Sequence, residues 1–95
     1  MSSEAKSIKS IMDELVVKIG LEQKIEFSKM KEIWSSVVGE VAARSCIPTK
    51  FDKGILNIKT NSSTWRMELF ARKEYIINEI NSQLGKNIVA GLNIR

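Results

Sequence analysis

The strongest constraint on this chain lies between Ile55 and Arg95, where the spacing of apolar residues changes period twice. The segment "ILNIKT" alternates Leu56 and Ile58 against Asn57 and Lys59, the period of a strand with one buried face. From Trp65 through Leu69, Ile76, Ile77, Ile80 and Leu84 the period becomes helical and runs as far as Gly85. The "NSSTW" before it offers side-chain oxygens to the free amides of a helix start. This spacing predicts one continuous helix, about 30 Å long. "NIVAGLNIR" then alternates again, with Ile88, Ala90, Leu92 and Ile94 on one side and Val89, Gly91, Asn93 and Arg95 on the other. A strand, a helix and a strand in that order cross over right-handedly and pair their strands in parallel.

The residues before this unit extend it. Pro48 stops any helix, and "TKF" and "ILNIKT" flank "DKG", where Gly54 can take the positive φ that closes a short hairpin. Phe51, Leu56 and Ile58 then point to a core, and Lys50, Asn57 and Lys59 away from it. Nearer the N-terminus, Ile8, Ile11, Met12, Leu15, Val16 and Ile19 predict an amphipathic helix ending at Gly20. After a charged connection, "LEQKIE", Phe27, Met30, Ile33, Trp34, Val37, Val38 and Val41 predict a second helix. Ser28 is its candidate cap, Gly39 a bend or close-packing point, and its end falls near Ser45. The expected fold is α+β: two N-terminal helices, a β-hairpin, a long helix and a final strand. Its three-stranded mixed sheet carries helices on one face and leaves Lys50, Asn57, Lys59, Asn93 and Arg95 on the other.

Ninety-five residues with 43% hydrophobic and 27% charged side chains suit one globular domain over residues 1–95, and neither a repeat nor a low-complexity tract divides it. The chain has no histidine and one cysteine, Cys46, so it offers neither a disulfide framework nor a Cys/His zinc site. Its acids show no clustered pair for acid/base work, and Cys46 has no histidine to activate it and reads as packing. No Walker sequence, G-x-G-x-x-G or metal constellation occurs, so no cofactor, metal, small-molecule substrate or catalytic residue is expected. "MSSEAKSIKSIMDEL" lacks the unbroken apolar core of a signal peptide, and no run approaches the roughly 20 residues of a membrane span. The expectation is a soluble cytoplasmic protein that does not engage membranes.

The net charge of +4 is uneven. Residues 1–47 hold seven Lys/Arg against seven Asp/Glu, and residues 48–95 hold eight against four. A localised basic excess suits a polyanion or an acidic protein surface, and equally a solvated face. Lys50, Lys53, Lys59, Arg66, Arg72 and Lys73 are the candidate nucleic-acid contacts. Lys73 falls on the apolar stripe between Leu69, Ile76 and Ile80, where a lysine either snorkels or meets a phosphate or carboxylate. Trp34, among Ile33, Val37 and Val38, reads as core, whereas Trp65, one turn into its helix beside Arg66, reads as packing or as a partly exposed anchor for a partner.

Taken together, "IWSSVVGEVAARS", "DKGILNIKT", "SSTWRMELFARKEYIINEIN" and "LGKNIVAGLNIR" resemble the DciA family of bacterial replication proteins over nearly the whole chain from Phe27 onward. The pattern rests on Trp34, Val38 and Gly39, on the G-x-L of Gly54 and Leu56, and on S-x-x-W-x-x-E-L from Ser62 to Leu69. Asn81, Gly85, Ile94 and Arg95 complete it, and many relatives carry a histidine about where Arg44 stands. The resemblance implies a KH-like domain and a non-enzymatic protein that engages the replicative DNA helicase and helps it load onto DNA. No G-x-x-G is present, so the backbone clamp of a KH domain is missing, and weak, phosphate-led binding of single-stranded DNA is what the basic half suggests. Two other functions stand beside it: a KH-like RNA-binding module associated with translation, and an adaptor that binds only protein.

Overall fold

The computed structural model describes residues 7–95. The elements, in chain order, are α1 (Ile8–Val38), α2 (Glu40–Ser45), β1 (Cys46–Asp52), β2 (Ile55–Thr60), α3 (Ser63–Ala71), α4 (Lys73–Leu84) and β3 (Gly91–Ile94). The sheet order is β1-β2-β3, with β1 and β2 antiparallel and β2 and β3 parallel, which is the mixed α+β sheet the two changes of period require.

The first two expected helices are one. Ser7 caps α1 by accepting from the Ser10 amide at 3.1 Å, and the helix then runs 31 residues, through Gly20 and "LEQKIE". Those six residues are mostly good helix formers, so Gly20, at about 1 kcal/mol relative to alanine, does not stop the helix. Ser28 lies inside it and caps nothing. The real interruption is Gly39, at φ +92°, a backbone angle that side chains strongly disfavour. It separates α1 from the single turn and a half of α2.

The long third helix is likewise divided, by Arg72 at φ −103° and ψ 14°. Neither proline nor glycine marks the place. The break lets α3 pack on β2 and β3 while α4 packs along α1 and against β3. Ser62 is the N-cap of α3, its hydroxyl accepting from the Trp65 amide at 3.1 Å, so the S-x-x-W spacing is a cap spacing. At the other end Gly85, at φ +71°, closes α4 in the left-handed region.

The turn between β1 and β2 holds two consecutive positive φ angles, 52° at Lys53 and 80° at Gly54, the type I′ geometry whose twist suits a two-residue hairpin. Its Gly54 carbonyl accepts from the amides of Ala90 and Gly91 at 2.7 and 3.2 Å, which fixes where β3 begins. Before that point the chain is not strand. The Asn81 carboxamide holds it, accepting from the Ile88 and Val89 amides and donating to the Val89 carbonyl at 2.9–3.2 Å. Held this way, Val89 is buried and Ala90 exposed, the reverse of the expected alternation, which is recovered only at Leu92 and Ile94.

The core fills the space between the sheet and the helices. Leu56 and Ile58 of β2 and Leu92 of β3 meet Leu69, Ile76 and Ile80 from α3 and α4 and Met30, Trp34, Val37 and Val38 from α1. The Trp34 indole is buried as expected and donates to the Cys46 carbonyl at 2.8 Å, pinning α1 to the start of β1. Cys46 is fully buried, and burial pushes its thiol up from its usual range, an environment of packing and not of a nucleophile.

Candidate nucleic-acid and partner surfaces

The helix-free face of the sheet is built by alternation and by one irregularity. On β2, Asn57 and Lys59 point to it because Leu56 and Ile58 point to the core. On β1 simple alternation would set Pro48 and Lys50 on the same side. The register slips between these two residues, however, with Pro48 opposite Ile58 and Lys50 opposite Asn57. Pro48 has no amide to give to the ladder, and β1 is an edge strand, where such a bulge is tolerated. Thr49 is the extra residue, its hydroxyl donating to the Asn57 carbonyl at 3.2 Å, and the bulge turns Lys50 outward. On β3, Asn93 lies beside Asn57, and Arg95 continues the ladder by donating its amide to Ile58.

These residues make a shallow polar surface. Lys50, Lys59 and Arg95 are exposed around a groove of about 410 Å³ whose floor includes Thr49 and Asn57. The Asn93 carboxamide lies 3.0 Å from that of Asn57 and 3.1–3.2 Å from the Arg95 guanidinium, so it steadies the arginine. A neighbouring groove of about 560 Å³ adds Arg44, Ser45, Asn61 and Ser62 around Lys59. No aromatic ring stands among the described residues of this face. It can hold phosphates through cations, amides and hydroxyls, and it offers bases no aromatic ring to stack on.

The six candidate cations are not one patch. Lys50 and Lys59 share the open face. Arg66 and Lys73 line a separate groove of about 530 Å³ between α3 and β3, with Met67, Phe70, Leu92 and Ile94. Arg66 is half-buried and donates to the Thr60 carbonyl at 3.2 Å, and the Lys73 ammonium sits 5.6 Å from the Phe70 ring centre, a cation-π distance. Arg72 lies apart from both pairs, and Lys53 stands alone at the hairpin tip. Sequence reasoning passed over Met67 and Phe70, which are 73% and 68% exposed. Their three-residue spacing, off the buried stripe of α3, was the available signal. It also left Arg95 out of the contact set although the alternation of β3 placed it on the open face.

Trp65 is half-buried. Its ring packs against the edge of the core, and it lines a groove of about 350 Å³ with Val38, Gly39 and Val41 on one side and Glu68 and Arg72 on the other. The positive φ of Gly39 forms one wall of this groove by breaking the helix opposite the tryptophan.

Among the described residues no group of three or more Cys, Asp or Glu side chains is placed to hold a metal, and no helix is long and apolar enough to cross a membrane. Comparison with known proteins gives one family: the model described as "Dna[CI] antecedent, DciA" matches residues 7–94. Among similar curated proteins, a UPF0232 protein of Mycobacterium ulcerans is 30% identical over 61 residues, 64% of this chain and 33% of that one. A UPF0232 protein of Mycobacterium tuberculosis is 27% identical over 81 residues, 85% of this chain and 43% of its own. One of Streptomyces avermitilis is 27% identical over 64 residues, 65% of this chain and 35% of the relative. The chain therefore spans less than half the length of these curated relatives.

Proposed function

The chain belongs to the DciA family, and from that premise we propose that it is a non-enzymatic accessory protein of DNA replication. In this reading it acts in the cytoplasm, binds the replicative helicase and assists its loading on DNA, while holding single-stranded DNA weakly and without sequence preference. The observation that carries the nucleic-acid part is the composition of the open sheet face: Lys50, Lys59 and Arg95 around an amide and hydroxyl floor with no aromatic ring. Such a surface neutralises phosphates and gives bases no aromatic platform. The helicase part rests on family membership together with Trp65, a half-buried ring beside a groove, the form that interface anchors commonly take.

Two measurements test it. Fluorescence anisotropy with labelled single-stranded DNA of several sequences should give equal, weak affinities. With three phosphates contacted, log K should fall against log salt with a slope of about −2. A pull-down with the host's replicative helicase, nuclease-treated, should retain the chain. Tighter binding to structured RNA with no helicase retained would favour the RNA-binding reading, and helicase retention with no DNA affinity at low salt would leave a purely protein-binding adaptor.

A further inference from the structure

The apolar line along α1 is covered for only half its length. Ile8, Met12, Leu15 and Ile19, at alternating spacings of four and three, lie on the same line of the helix as Met30, Ile33 and Val37. The second group packs in the domain, as the core or against it. The first group, flanked by Ile11 and Val16, is exposed, from 45% at Ile11 to 76% at Ile8. This part of the helix stands away from the sheet and gives the molecule extents of 61 × 25 × 19 Å. A free helix of this length is marginal in water, and an uninterrupted row of aliphatic side chains on it calls for cover.

We infer that the cover is a second copy of this chain, its own residues 8–23 laid antiparallel along the same stripe. Three features select that occupant and that direction. The apolar row is continuous from Ile8 to Ile19, and its stretch from Met12 to Ile19 pairs with the same stretch of a second copy that runs in the opposite direction. Beyond Ile19 the next position on the line is Glu22; a parallel pair would set two Glu22 carboxylates against each other inside the seam. An antiparallel pair centred between Leu15 and Val16 instead brings Met12 against Ile19 of the second copy. It also places each Glu22 beside Lys9 of the other copy, close to the helix start whose dipole favours an anion. Both contacts occur twice by symmetry, and the two globular ends point to opposite poles, where they do not meet.

Sedimentation velocity of the full chain across the micromolar range tests this. The expected result is a concentration-dependent monomer–dimer equilibrium that L15E abolishes, while Trp34 fluorescence and the denaturation midpoint at low concentration stay as in the parent, because Leu15 touches nothing in the domain core. K9E and E22K should each weaken the dimer about three- to tenfold through two like-charge pairs. Mixing the two variants should give a heterodimer tighter than either homodimer, since both of its pairs are then opposite in sign. A chain that stays monomeric throughout overturns the inference, and so does a dimer indifferent to L15E. A mixture no tighter than its components overturns the antiparallel pairing. A monomer that protects this stripe only when helicase is added gives the surface to the helicase instead.

Discussion

The Trp34 indole nitrogen lies 2.8 Å from the Cys46 carbonyl oxygen, and this buried bond joins the long helix to the first strand across the break at Gly39. Trp34→Phe keeps most of the apolar contact and removes the donor, leaving a carbonyl short of a partner in the core. The expected loss is about 1–3 kcal/mol in urea denaturation, with affinity for single-stranded DNA unchanged.

A second tie joins α1 to the turn after α4. The Lys86 ammonium donates to the Glu26 carboxylate at 2.8 Å, and this bond, with the nearby charges of Lys86 and Lys29, holds the Glu26 carboxyl below its ordinary 4.5 against the opposing effect of burial. Protonation is therefore harder in the folded chain than in the unfolded one. The stabilising contribution is complete above pH 4.5 and is lost as pH falls through the lower folded value. Glu26→Gln should melt below the parent at neutral pH, and the gap in melting temperature should close as pH drops below 4.5. A gap that stays constant across that range would mean Glu26 acts by packing alone.

The same bonds show what the sequence made legible. Changes of period located β2 and β3, their parallel pairing and the outward face of β2, and the Gly54 turn located β1, because alternation and turn chemistry are local properties of the chain. Gly20 misled because a glycine among helix formers costs too little to end a helix, whereas Gly39 ends one through its φ. The break at Arg72 has no local signal; both helices meet β3, and beyond it α3 packs on β2 and α4 on α1. Residues 87–90 read as strand by alternation, yet Asn81, seven and eight positions earlier, bonds Ile88 and Val89, and Ala90 donates to Gly54. The bulge at Thr49 follows from Pro48 only once β1 is known to be an edge. The basic residues were found individually, but their division into an open-face pair and a groove pair depends on the fold.

That division makes the cations separable by experiment. Lys50→Ala with Lys59→Ala should lower affinity for single-stranded DNA for all sequences alike and reduce the salt slope by about 1.4. Arg66 and Lys73 are engaged with the Thr60 carbonyl and the Phe70 ring, so their replacement should change DNA affinity less than the open-face pair does. Anisotropy titrations at two salt concentrations decide this, and an equal effect from both pairs would extend the DNA surface around the β3 edge.

Trp65 stands where a cap, a helix break and a groove meet. Ser62 fixes its backbone at the start of α3, its ring covers the edge of the core, and the Gly39 break opens the groove along its exposed side. Because the ring is only half-buried, Trp65→Ala should cost about 2 kcal/mol, less than the 3–5 kcal/mol typical of a fully buried tryptophan. Trp65→Phe should stay folded with a near-native melting temperature, since the smaller ring still covers the core edge. If the outer part of the indole anchors a partner, Trp65→Phe nevertheless loses the helicase in a nuclease-treated pull-down. Full retention by Trp65→Phe, together with loss by Trp65→Ala only in proportion to unfolding, would make the residue core alone. The helicase contact would then be sought at the Met67 and Phe70 groove, whose exposed apolar side chains and flanking cations suit an acidic, partly apolar segment.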